Sequence, residues 1–132
     1  MYGNKKRDKK MEINYCGERI TVSDTLETEF LQLLLTNFEG CSDICKLIVS
    51  KKTIDDIKKA SSFVEISFRE EQEVTVNGKQ KVVFNALFIP LSGSYATDDQ
   101  ITFFPSNSKQ YYNPFVNDKG LKELIDKLED LK

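Results

Sequence analysis

The chain has no histidine anywhere in its 132 residues. Without imidazole there is no Ser-His-Asp or Cys-His nucleophile, no His general base and no His metal ligand. Any chemistry would have to run on Asp, Glu, Lys, Tyr or an unassisted thiol. The three cysteines are Cys16, Cys41 and Cys45. Cys41 and Cys45 would stand one turn apart if their stretch were helical, but zinc sites want four ligands, commonly as two Cys pairs. One pair with no His to complete it favours packed thiols over a metal or redox site. No metal site and no cofactor is expected.

Carboxylates cluster at Asp55-Asp56, at Asp98-Asp99 and over Asp24, Glu27 and Glu29. Paired carboxylates can serve glycoside hydrolysis or hold a divalent cation. Asp55-Asp56 and Asp24/Glu27 read more simply as helix starts, where negative charge meets the positive end of the helix dipole. Asp98-Asp99 sits in a turn, where Asp is common, and no cation-loop spacing is present. Ser92-Gly93-Ser94-Tyr95 could form a small anion-binding nest. It matches no phosphate-loop pattern, so a turn is the plainer reading. No residue is assigned a catalytic role.

The stretch 95–115 is the most unusual. It holds Tyr95, Phe103, Phe104, Tyr111, Tyr112 and Phe115, six of the 14 aromatics in the chain. Either these residues lap over a sheet and complete the core, or they form a contact surface, for which Tyr suits by being wet at one end. Asn113-Pro114-Phe115 also spells a short interaction triplet. The residues assigned to partner binding are Tyr95, Asp98, Asp99, Tyr111, Tyr112 and Phe115, as aromatic anchors ringed by carboxylates.

The elements that would position these groups follow from patterning. Residues 11–15 and 18–22 flank Cys16-Gly17 and should form a hairpin pairing Ile13 with Ile20 and Met11 with Val22. A Leu-rich helix over about 25–38 follows, begun by Asp24 and Glu27 and stopped near Gly40. Residues 41–50 fit helix or strand. Thr53 is expected to cap a short helix over about 54–61. Asn77-Gly78 is a strong hairpin signal between strands of about 63–76 and 80–90, and it would pair Phe68 with Leu87 and Ile66 with Ile89. The second of these strands is apolar on both faces, as in a strand covered on both sides. Ile101–Phe104 forms a third strand, stopped by Pro105. An irregular segment then runs from Ser106 to Asn117, and an amphipathic helix of about 13 residues, carrying Leu121, Leu124, Ile125, Leu128 and Leu131, closes the chain. The expected fold is α+β: an antiparallel sheet, made of the N-terminal hairpin and a three-strand meander, with two or three helices packed on one face.

Length suits one domain over residues 11–132. Residues 1–10, MYGNKKRDKK, carry five bases and one acid, which leaves a body of 14 bases and 20 acids within an overall charge of −2. The basic leader reads as a solvated disordered tail, with Met11 an alternative start. An acidic body argues against nucleic-acid binding except through that leader. An odd cysteine count and the lack of a signal-like or bilayer-length apolar run point to a cytoplasmic protein with no membrane partner. The function these features favour is a small non-enzymatic protein-binding module. It would act through an acidic, aromatic-containing surface on a basic protein partner, as an intracellular inhibitor, antitoxin or immunity protein does. Two alternatives stand beside it. One is a small-molecule binder or His-free enzyme with a pocket between the sheet and the Leu-rich helix, with Ser92, Ser94 or Asp98 at its mouth. The other is a homodimer or a subunit of a larger assembly.

Overall fold

A computed structural model describes residues 11–132. The expectations for the basic leader fall outside the described residues. The chain forms an α+β fold around one seven-stranded antiparallel sheet. Strands β1 (Glu12–Tyr15) and β2 (Glu18–Ile20) make the opening hairpin and pair Ile13 with Ile20 as expected. Both turn residues, Cys16 and Gly17, take positive φ. Met11 and Val22 lie beyond the paired register, yet both are buried in the same core. Helix α1 (Asp24–Glu39) is capped by the Ser23 hydroxyl, which accepts the Leu26 amide. Asp24 and Glu27 sit in its first turn, as expected, but Glu27 chiefly holds Arg69 of the neighbouring strand in a two-pronged pair at 2.7 and 2.9 Å.

The ambiguous 41–50 stretch contains a two-residue strand, β3 (Asp43–Ile44). Helix α2 spans Lys51–Ala60, three residues earlier than the pattern suggested. Its cap is Ser50. Thr53 is the reciprocal partner in a capping box, with its hydroxyl on the Ser50 amide. Asp55 and Asp56 therefore lie past the first turn, where they pair with Lys51 and Lys52 one turn back at 3.1 and 3.0 Å.

Strands β4 (Phe63–Val76) and β5 (Gln80–Pro90) meet at Asn77-Gly78, where both residues have positive φ. Pairing opens at Val76–Gln80 and then shifts at a bulge between Ser67 and Gln72. Ile66 consequently faces Leu87 and Val64 faces Ile89, two residues from the expected register. An even net shift leaves Val64 and Ile66 on the inner face, so the core survives the change. The bulge also switches the inward side of β5. Val82 and Phe84 point into the large core before it, and Leu87 and Ile89 do so after it.

Strand β6 (Ile101–Ser106) runs through Pro105, which pairs with Leu87 rather than ending the strand. The segment expected to be irregular contains β7 (Phe115–Asn117), which pairs with β6 and β3. The sheet order is β2-β1-β4-β5-β6-β7-β3. Helix α3 (Leu121–Leu131) closes the chain.

Two helices share one face of the sheet. Phe30, Leu34 and Phe38 of α1 and the leucines of α3 join Ile13, Ile66, Phe84 and Phe103 in the larger core. Phe38 is its hub, stacked on Phe103 at 4.9 Å and tilted against Phe84 and Phe115 at 5.3 and 5.4 Å. On the opposite face, Ile54 and Ile57 of α2 cover Phe88 and Phe104 in a smaller core. The doubly apolar character of β5 thus has two causes, the bulge and the helix on its far side.

Candidate partner-docking surface

The six residues assigned to partner binding do not form one patch. Phe115 is 1% exposed and belongs to the Phe38 cluster. Tyr112 turns its hydroxyl onto β5, where it accepts the Val83 amide at 3.2 Å and donates to the Val83 carbonyl at 3.0 Å. Asn107 donates to the same carbonyl at 2.7 Å. These two side chains complete a stretch of β5 that lies ahead of its first pair with β6, at Ala86. Tyr95 packs edge-on against Phe104 at 5.3 Å in the smaller core.

Asp99 anchors α3. The helix begins at Gly120, whose φ is +115° and which has no side chain to cap with. Asp99 supplies the cap from another loop. Its carboxylate accepts the Lys122 amide at 2.7 Å and the Gly120 amide at 3.3 Å, and its carbonyl accepts the Leu121 amide. These backbone donors, Lys122 first, hold the Asp99 carboxyl below its ordinary range. Only Asp98 and Tyr111 are left facing solvent, Tyr111 at 41% exposure.

The Ser92-Gly93-Ser94 turn is likewise tied into the fold. Ser92 Oγ accepts the Ser62 amide at 2.9 Å, and a Cβ on Gly93 would meet Ser61 Oγ at 2.6 Å. Cys41 and Cys45 are not on a helix. Cys41 is buried, and burial pushes its thiol up to about 12. All three cysteines are free. Among the described residues no group of three or more Cys, Asp or Glu is placed to hold a metal ion. Every buried side-chain nitrogen and oxygen there has a hydrogen-bond partner.

Negative charge is concentrated elsewhere. Helix α1 carries Asp24, Glu27, Glu29 and Glu39 and no base. Helix α3 carries Glu123, Asp126, Glu129 and Asp130 against Lys122 and Lys127. On the far face α2 has four lysines and two aspartates. The two helices run antiparallel: Gly120 abuts Asn37 near the end of α1, and Lys127 meets Glu29 near its start at 3.1 Å. Between them lies an open groove of about 550 Å³, with Leu33 in its lining and Glu29, Glu123, Asp126 and Asp130 around it. Glu123, Asp126 and Asp130 have no cation within 4 Å among the described residues.

Sequence reasoning read the charges of α1 as a helix start and those of α3 as a solvated face. The available signal was the acid-to-base count taken helix by helix, once both helices are known to lie side by side. A smaller apolar feature sits at the β3 edge, where Ile48 is 92% and Ile44 38% exposed. That edge is blunted, because Asp43 turns its own carboxylate onto the Ile44 amide at 2.8 Å. No described helix is long and apolar enough to cross a membrane. Comparisons with protein-family models, curated proteins and solved structures found no match.

Proposed function

We propose that this chain is a protein-binding domain that presents the acidic α1/α3 face to a basic protein partner. The observation that carries the reading is the charge imbalance at the open groove: Glu29, Glu123, Asp126 and Asp130 surround one lysine, Lys127, between two helices that together carry eight carboxylates and two lysines. Like charges held together destabilise a fold slightly, and complementary charge on a partner relieves this while speeding encounter. An inhibitor, antitoxin or immunity-type role in a reducing, cytoplasmic setting fits three free thiols and a compact acidic body. The region between the sheet and α1 is filled by Phe30, Leu34 and Phe38, so the proposal does not extend to a ligand pocket there.

The test is capture of partners from the native host on immobilised chain, eluted with salt. Glu123→Lys with Asp126→Lys should abolish retention of the specific partner. Glu70→Lys with Glu71→Lys, at the β4 bulge, should leave it intact. If both double variants behave alike, or no partner is retained, the assignment of this face is wrong.

A further inference from the structure

The sheet has one blunted edge and one open edge. We propose that the open edge, β2, pairs with β2 of a second copy of this chain, giving a symmetric dimer through a continuous antiparallel sheet. The dimer does not depend on the docking function proposed above. It rests on backbone groups left open at that edge and on two opposite charges that lack a partner within one copy.

Strands β2 and β3 are the outermost strands of the sheet. At β3 the Asp43 carboxylate occupies the Ile44 amide, a common way to guard an edge. Nothing equivalent guards Arg19. The two-residue turn makes Tyr15–Glu18 and Ile13–Ile20 the hydrogen-bonded pairs of the hairpin. Cys16, on the other parity of β1, donates to Phe63 on the side of β4. The N–H and C=O of Arg19 therefore point away from β1, and no described hydrogen bond uses them. Asn14 already takes the Gly17 amide, and beyond Val22 the chain turns into the Ser23 cap. The open window is thus Arg19 to Val22, and it restricts the register. Arg19 opposite Arg19 would set like charges together. Arg19 opposite Gly17 would meet an amide that is already taken. Arg19 opposite Thr21 of the second copy remains, with Ile20 beside its own copy on the two-fold axis.

This register also joins complementary charges. Continuing the Ile13–Ile20 register places Glu12 beside Thr21. Glu12, Thr21 and Arg19 of the second copy then form one row on one face of the sheet. At about 4.8 Å per strand, Glu12 and that arginine stand about 10 Å apart at Cα, with only the small Thr21 between them. Both side chains are long enough to meet over it. Glu12 and Arg19 are exposed, and neither has an ion-pair partner within 4 Å among the described residues. Glu65, the carboxylate in the row of Arg19 within its own copy, is held by Lys58 at 2.9 Å. A depression of about 140 Å³, lined by Glu12, Thr21 and Val22 among others, gives room for the stem of the incoming arginine. The two-fold axis repeats every one of these contacts.

So short a window makes a weak, reversible dimer. The test is analytical ultracentrifugation of the full chain at rising concentration, up to about 1 mM. The average mass should climb toward that of two chains. Arg19→Glu and Glu12→Arg should each weaken the dimer roughly ten-fold or more, because symmetry counts each lost pair twice. The two substitutions combined in one chain should recover most of the association, since the charges are then exchanged rather than lost. Amide exchange should slow at Arg19 and Thr21 as the dimer forms and stay unchanged at Asp43 and Ile44. A monomer at every concentration would overturn the proposal. So would slowing at β3 instead of β2, or a combined variant no tighter than the single ones. Should the variants fail to fold, the mass and amide exchange of the parent chain decide the question alone.

Discussion

At the scale of single residues, the tyrosines in the 106–115 segment show how an aromatic-rich stretch divides between structure and surface. Tyr111 and Tyr112 are neighbours, yet Tyr111 is 41% exposed while Tyr112 closes both polar groups of Val83. Removing one hydroxyl leaves a backbone amide of β5 without its acceptor, and a part-buried unmet donor costs about 1–3 kcal/mol. Tyr112→Phe should therefore lower unfolding stability by about 1 kcal/mol, measured by urea denaturation, since Asn107 still serves the carbonyl. Tyr111→Ala, which removes only surface, should stay within about 0.5 kcal/mol of the parent. Equal losses for the two would mean that the Tyr112–Val83 pairing contributes nothing. Cys41 carries the same lesson in a different form. Its thiol, pushed up by burial, is a packed hydrophobe, and labelling reagents should reach exposed Cys16 long before it.

At the scale of elements, local pattern was legible where one face of an element meets one core. The strand bounds of β4 and β5, the Ile13–Ile20 register and the leucine stripe of α3 follow from periodicity and turn residues alone. Legibility failed where a distant group supplies what the local sequence lacks. Strand β7 is three residues long and exists because β6 and β3 flank it. The β4 bulge depends on fitting two sides of β5 into one core, which no turn signal encodes. The start of α3 is the clearest case: Gly120 cannot cap, and the cap comes from Asp99, 21 residues away. The Asp99 carboxylate, expected at a partner-binding surface, accepts the Gly120 and Lys122 amides at the start of α3. This arrangement has a pH signature. A carboxyl whose pKa in the folded state lies below its ordinary 3.8 contributes stability that is complete above that value and is lost as pH falls through the lower, folded value. Asp99→Asn keeps an acceptor but no charge, so it should lower the thermal midpoint at pH 7 by roughly 3 °C. The variant should also lose less stability than the parent between about pH 5 and pH 3. Parallel stability curves would show that the charge on Asp99 plays no part in holding α3. Faster amide exchange in α3 alone would locate the effect there.

At the scale of the whole molecule, the sheet separates two chemically different sides. The larger core lies under the acidic pair α1 and α3, and the smaller one lies under the lysine-bearing α2. The leucines of α3 and the phenylalanines of α1 hold the acidic pair in place, so apolar burial offsets a repulsion that the two helices would otherwise relieve by separating. That repulsion is a surface effect and falls within a Debye length of about 10 Å at 0.1 M salt. Raising NaCl from low concentration should therefore stabilise the fold, the opposite of what a protein supported by its surface ion pairs would show. Glu123→Gln with Asp126→Asn should raise the thermal midpoint by about 1–2 °C at low salt and by less at high salt.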